Sequence, residues 1–337
     1  MMRLPKFTYR RPKGVSEALK MHADAGPEAT FVAGGTDLYP NMKRRQQTPK
    51  TVIGLSAISA LRKIGGEGKS GMTLGATATL NEVCLHRKVQ IHYPALANAV
   101  SLISTPVLRN MGTIGGNVLL DTRCNYYDQN YEWRKSIGFC MKKEGSICWV
   151  APSSPRCWAV QSSDAVPVLV AMGAKVKLAS KDGGEREIGI AALYKDDGID
   201  YVTKRPDELL TEITLPPVNG WRASYRKLRR RGSFDFPALA VGACVWFDGE
   251  GEDARVAAAK IILGAVGSHP IEATDAEAAL AGKPLTPESI AAAAEAAYKP
   301  AKPLDNTDFA MTWRKEMARR FVTRALEDLC GGGGKRP

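Results

Sequence analysis

Four cysteines, Cys124, Cys140, Cys148 and Cys157, fall within 34 residues of a 337-residue chain, and the first comes seven positions after the glycine turn Thr113-Ile114-Gly115-Gly116-Asn117. Four thiolates are what a tetrahedral metal site or a cubane iron–sulfur cluster requires. The loops between them hold 15, 7 and 8 residues, unlike the paired CxxC of a zinc ribbon or the tight run of a bacterial ferredoxin. This spacing favours a metal centre and leaves a disulfide-stapled loop or unrelated buried thiols open.

The length suggests two or three domains, and 44% apolar with 24% charged residues is ordinary for a globular enzyme. No run approaches eighteen apolar residues; the longest, 237–247, reads as a buried strand, so no membrane span is expected. The first twelve residues are basic with no apolar segment behind them, so no secretory signal is expected and the cytoplasm is the expected compartment. Reducing conditions there favour metal-bound or free cysteines over disulfides. The net charge of +12 is scattered through Lys43-Arg44-Arg45, Lys142-Lys143 and Arg229-Arg230-Arg231 without a nucleic-acid-binding motif. Nucleic acid is therefore not an expected partner, whereas an acidic subunit or redox donor fits, with solvated surface charge as the plain alternative.

Hydrophobic patterning predicts a helix at 15–21 capped at or just before Ser16, strands at 30–33 and 51–55, a hairpin through 61–77, and helices near 80–87 and 94–101. Further on it predicts a helical turn at 165–171 and strands at 174–179 and 209–215, the last stopped by Pro216-Pro217. Beyond that boundary come antiparallel strands at 225–228, 238–247 and 256–266 and a helix started by Thr286-Pro287-Glu288. A final amphipathic helix at about 307–329 is expected to bury Trp313, Met317 and Phe321, ahead of a disordered tail at 331–337.

Two segments, Ala33-Gly34-Gly35-Thr36-Asp37 and 113–117, each place two glycines and a threonine in a turn beside a strand. Glycines let backbone N–H groups converge on an anion and a hydroxyl adds a donor, which suits a diphosphate; a plain tight turn is the alternative for either one. Gly66-Glu67-Gly68-Lys69-Ser70-Gly71 contains a literal GxGxxG, yet a strand-like segment follows where a dinucleotide site needs a helix. Gly68-Lys69-Ser70 ends like a P-loop but lacks the earlier glycine, which is Lys63 here. The histidines, His22, His86, His92 and His269, show no metal or thiol–imidazole spacing, so no catalytic residue is expected. Cys84, Cys244 and Cys330 stand apart as buried or free thiols.

In order, 33–37, Arg109-Asn110-Met111-Gly112 leading into 113–117, Ser163-Asp164, and Lys227 with Asp235 resemble the FAD-binding medium subunit of the xanthine dehydrogenase and carbon monoxide dehydrogenase family. The resemblance runs from Phe7-Thr8-Tyr9 to the C-terminal domain. It implies an α+β protein with a PCMH-type (vanillyl-alcohol-oxidase-like) FAD-binding fold of two α/β subdomains, 1–60 and 61–216, plus a C-terminal α+β domain at 217–330. It also implies FAD contacts from Ala33, Gly34, Gly35, Thr36, Asp37, Thr113, Gly115, Gly116, Asn117, Asp164 and Lys227.

The interval from Asn117 to Asp164 exceeds the family norm, and the four cysteines lie inside the excess, at about 121–161. Such an insertion is similar to that of the β subunit of 4-hydroxybenzoyl-CoA reductases, which implies a [4Fe–4S] cluster on Cys124, Cys140, Cys148 and Cys157. Electrons would then pass from ferredoxin through [4Fe–4S] and FAD to two [2Fe–2S] clusters on a small subunit and molybdenum on a large one, in a dimer of heterotrimers. Tyr126, Tyr127, Trp133, Trp149 and Trp158 would shield the cluster or simply pack the loop. The FAD subunit of an oxidative aromatic or N-heterocycle hydroxylase, and a non-enzymatic structural zinc module, stand as alternatives.

Overall fold

The computed structural model describes residues 3–249 and 254–330, so the tail expected at 331–337 lies outside the described residues. Among the described residues three sheets follow one another. The first is parallel, with Thr51–Gly54 between Thr8–Arg10 and Ala29–Val32. The second is an antiparallel five-stranded sheet in the order Ile64–Glu67, Gly71–Gly75, Glu208–Leu215, Lys175–Ser180, Glu185–Gly189. The third is antiparallel and four-stranded, with Leu239–Asp248 and Arg255–Gly264 at its centre, Trp221–Leu228 on one side and Ile271–Glu272 on the other. This mixed α/β architecture is the fold class implied by the resemblance.

The strand Leu239–Asp248 explains why 237–247 reads as continuously apolar. Leu239, Val241, Ala243 and Val245 pack with the helices Thr274–Leu280, Pro287–Tyr298 and Met311–Glu327 on one face. Ala240 and Cys244 face the core shared with the helix Ala165–Ala171. A Cβ on Gly242 would lie 2.5 Å from Pro167 backbone atoms, so that helix rests directly on the sheet. A strand covered on both faces loses the alternation that marks a half-exposed one.

Several boundaries differ from the patterned expectation. The first helix, Val15–Ala25, starts where expected but runs on past residue 21, with Gly14 as its N-cap and no side-chain cap bond. The last helix begins at Met311, because Phe309 adopts a left-handed φ of 68° that cannot continue a helix into 307–310. Within it Phe321 is buried, whereas Trp313 remains 41% exposed. Gly66 to Gly71 forms a hairpin, with Glu67 opposite Gly71. Among the described residues, no helix is long and apolar enough to cross a membrane.

Candidate functional site

Both glycine turns open onto one cavity of about 780 Å³, toward the upper end of the range for small-molecule and cofactor sites. Ala33, Gly34, Gly35, Thr36, Asp37, Thr113, Gly115, Gly116, Asn117 and Asp164 all line it. The turns are in backbone contact, since a Cβ on Gly34 would lie 1.8 Å from the Met111 carbonyl oxygen. Gly35 adopts φ +70°, a left-handed conformation that glycine takes without a Cβ penalty.

The two turns present different chemistry. Among the described residues, no acceptor takes the N–H groups of Gly34, Gly35 or Thr36. These amides, at the end of the strand Ala29–Val32, are free to converge on an anion. The second segment, expected as a turn, is instead a short helix, Ile114–Val118, capped by Thr113: Gly115 donates to the Ala76 carbonyl at 2.9 Å and Gly116 to Thr113 Oγ1 at 3.1 Å. Gly115 is there for close packing, as a Cβ on it would lie 2.7 Å from Ala76. Gly116 is exposed, and a Cβ on it would meet only Thr113 Oγ1, at 3.0 Å. The open amides, the missing side chains and the cavity's size fit a flavin dinucleotide.

Asn117 and Asp164 mainly hold the wall of the cavity. Asn117 Oδ1 accepts from Ser163 Oγ at 2.6 Å and from the Ala165 N–H at 3.3 Å, tying the short helix Ile114–Val118 to the start of the helix Ala165–Ala171. Lys227, expected from the resemblance to contact FAD, does not line the cavity. Its Nζ lies 3.0 Å from both carboxylate oxygens of Asp164 and donates to the Leu102 carbonyl at 3.0 Å. Tyr225 Oη donates to the same carboxylate at 2.6 Å. Burial raises the Asp164 carboxyl against the pull of Lys227, and burial lowers the Lys227 amine. The chain has to satisfy a buried carboxylate here, and Lys227 on the third sheet does so.

The inserted segment begins on this cavity. Arg123 and Val160 exchange backbone hydrogen bonds of 2.9 and 2.8 Å, closing the base of the loop. Asp121 and Arg123 line the cavity, as do Arg44, Gln47, Tyr201 and Phe236, which sequence reasoning did not single out. They come from separate segments with no shared motif, so no linear signal joins them. The loop is seated on the stretch after the first glycine turn, where Arg134 Nη2 donates to the Arg44 carbonyl at 2.9 Å and Gln46 Nε2 to the Tyr127 carbonyl at 2.5 Å.

All four cysteines of the insertion are buried and none is in a disulfide. Cys124, Cys140 and Cys157 share an apolar cluster with Tyr127 and Ala159. Burial pushes the Cys124 thiol up to about 12 and the Cys157 thiol to about 11, so a bound metal has to displace their protons. The Ala159 N–H points at Cys157 Sγ at 3.4 Å, the kind of contact that tunes a ligating sulfur. Of the aromatic residues, Tyr127 is buried, but Trp133 and Trp149 are 38% and 37% exposed and do not seal the loop.

Among the described residues, no group of three His, Cys, Asp or Glu is placed to hold one metal ion. The placement of the four thiols therefore does not by itself mark a zinc site or a cluster site. The Arg134 guanidinium suits an anionic group in this loop. It is 1% exposed, pairs with no carboxylate among the described residues, and leaves Nε and Nη1 without partners. Its carbonyl accepts from the N–H of Phe139, the residue before Cys140.

Residues 5–218 match the FAD-binding domain of molybdopterin dehydrogenases, and residues 223–329 match the carbon monoxide dehydrogenase flavoprotein C-terminal domain. The chain belongs to this flavoprotein family. It is the medium, FAD-binding type of subunit found in xanthine and carbon monoxide dehydrogenases, and hence an oxidoreductase subunit. The chain is 33% identical over 281 residues to the aldehyde oxidoreductase FAD-binding subunit PaoB of Escherichia coli K12, covering 80% of this chain and 85% of that one. It is 28% identical to the carbon monoxide dehydrogenase medium chain of Hydrogenophaga pseudoflava, over 96% of both chains. A solved structure of carbon monoxide dehydrogenase from that organism, lacking the Mo-pyranopterin moiety of its cofactor, superposes with a TM-score of 0.77 at 27% identity, covering 97% of this chain and 98% of that one. The flavoprotein family usually carries no [4Fe–4S] cluster in this subunit.

Proposed function

We propose that this chain is the FAD and iron–sulfur subunit of a molybdenum-dependent reductase of the 4-hydroxybenzoyl-CoA type. The observation that carries the reading is the set of four buried cysteines in an insertion whose base forms part of the cavity wall. Gly34, Gly35 and Thr36 hold the FAD diphosphate through their open amides; Ala33, Asp37, Thr113, Gly115, Gly116, Asn117 and Asp164 shape the cradle, and Lys227 supports it through Asp164. Cys124, Cys140, Cys148 and Cys157 hold [4Fe–4S], with Arg134 as a buried countercharge. When bound, flavin exchanges one or two electrons and so links one-electron clusters to a two-electron centre. A large molybdopterin subunit carries the substrate chemistry, a small subunit carries two [2Fe–2S] clusters, and ferredoxin supplies electrons to a dimer of heterotrimers. A reducing cytoplasm suits free cysteines poised for metal.

The named relatives favour a second reading, because several are dehydrogenases, among them a nicotinate dehydrogenase FAD-subunit from Eubacterium barkeri. In that reading the same subunit exports electrons from an oxidised aromatic or N-heterocyclic substrate. Anaerobic purification with the partner subunits, followed by iron, sulfide, FAD and molybdenum analysis, tests the cofactors. About four irons beyond two [2Fe–2S] centres are expected, and Cys140→Ser should remove them. Reduced ferredoxin should then convert 4-hydroxybenzoyl-CoA to benzoyl-CoA. Unchanged iron in the Cys140→Ser complex would defeat the cluster assignment, and oxidation of an N-heterocycle without reductase activity would favour the second reading.

A further inference from the structure

Arg123 stands where the inserted segment leaves the flavoprotein fold, and its guanidinium forms part of the cavity wall. It stacks 3.8 Å from the centroid of the Phe236 ring. Nη1 lies 3.0 Å from Asp37 Oδ1, and Nε lies 3.4 Å from Asp128 Oδ2. The Arg123 and Asp37 side chains are 17% and 30% exposed, so the pairing is partly shielded from water. Asp37 directly follows the open amides of Gly34, Gly35 and Thr36, and its other oxygen accepts from Asn41 Nδ2 at 2.9 Å. Its carboxylate does not cap the helix Leu38–Lys43.

A carboxylate at the end of a diphosphate cradle is a liability. Two like charges about 6–12 Å apart at an effective dielectric near 20 weaken binding by about ten- to a hundredfold. Asp37 is tolerable there only if a cation neutralises it, and the cation placed to do so is Arg123.

We propose that Arg123, contributed by the base of the insertion, is the countercharge that allows Asp37 to border the flavin diphosphate, making the insertion a working part of the flavin site. The inference rests on the cavity being the FAD site. Arg123 is thus a positioning residue acting through Asp37, and it joins the cysteine loop, the first glycine turn and, through Phe236, the third-sheet domain.

The test is FAD titration of the deflavinated full-length chain, followed by flavin fluorescence, with thermal melts of each flavin-free variant. R123Q should bind FAD about ten- to a hundredfold more weakly, R123K should stay within a few-fold of wild type, and R123Q/D37N should recover most of the loss. D37N alone should bind FAD more tightly than wild type, and it tests the idea even if R123Q fails to fold. An R123Q/D37N chain as weak as R123Q, or a D37N chain weaker than wild type, overturns the inference while leaving the FAD site intact. A wild-type chain that takes up no FAD overturns the cavity reading and this inference with it.

Discussion

Gly34 and Met111 meet backbone to backbone: a Cβ on Gly34 would lie 1.8 Å from the Met111 carbonyl oxygen and 3.0 Å from the Gly112 Cα. The contact fixes the distance between the two glycine turns and hence the width of the cavity neck. Neither side is a flexible side-chain end that could swing aside.

Gly34→Ala should therefore force the turns apart. Overpacking of this kind costs about 1–3 kcal/mol, and the displaced amides of Gly35 and Thr36 should lose FAD. A thermal melt and the flavin retained through gel filtration check both effects. A variant that melts like wild type with full flavin would show that the neck is not rigid.

Lys227→Met leaves the wholly buried Asp164 facing Tyr225 with no cation. Breaking a buried pair on one side costs about 3–5 kcal/mol, whereas replacing both partners is often close to neutral. Lys227→Met should thus melt well below wild type, and the Asp164→Asn/Lys227→Met double variant should regain most of the difference. Equal melts for the single and double variants would show that the lysine acts only by packing.

Glu208 begins a strand of the five-stranded sheet and lines the cavity, and Arg186 grips it at 2.6 and 2.9 Å. The hydrogen bonds from Arg186 hold the Glu208 carboxyl below its usual range. A carboxyl lowered on folding stabilises the folded state above its unfolded pKa, and that contribution disappears as pH falls through the folded value. The gap in melting temperature between wild type and Arg186→Met should be widest near pH 7 and close as pH drops below the ordinary glutamate range. A gap that does not vary with pH would assign Arg186 a packing role instead.

The sequence made part of this site legible and hid the rest for physical reasons. The glycine segments 33–37 and 113–117 carry their signal locally, because glycine and threonine are selected by backbone conformation and close approach, although the second proved to be a helix start rather than a turn. The helix start at Thr286-Pro287-Glu288 was equally readable, since cap, proline and acid lie within one turn. Lys227 pointed toward the cofactor in sequence, yet its charge is spent on Asp164, 63 residues away in the chain. Trp313 fitted an apolar helical stripe, but the helix turned that residue partly to solvent.

By itself the sequence determined the order of turns, strands and the cysteine-bearing insertion, because these depend on residue chemistry within a few neighbours. Only the tertiary structure decided that the insertion's base would meet the first glycine turn through Arg123 and Asp37, 86 residues apart. Which buried charge finds which partner depends on how separate sheets and loops pack, since burial is what compels charges to pair.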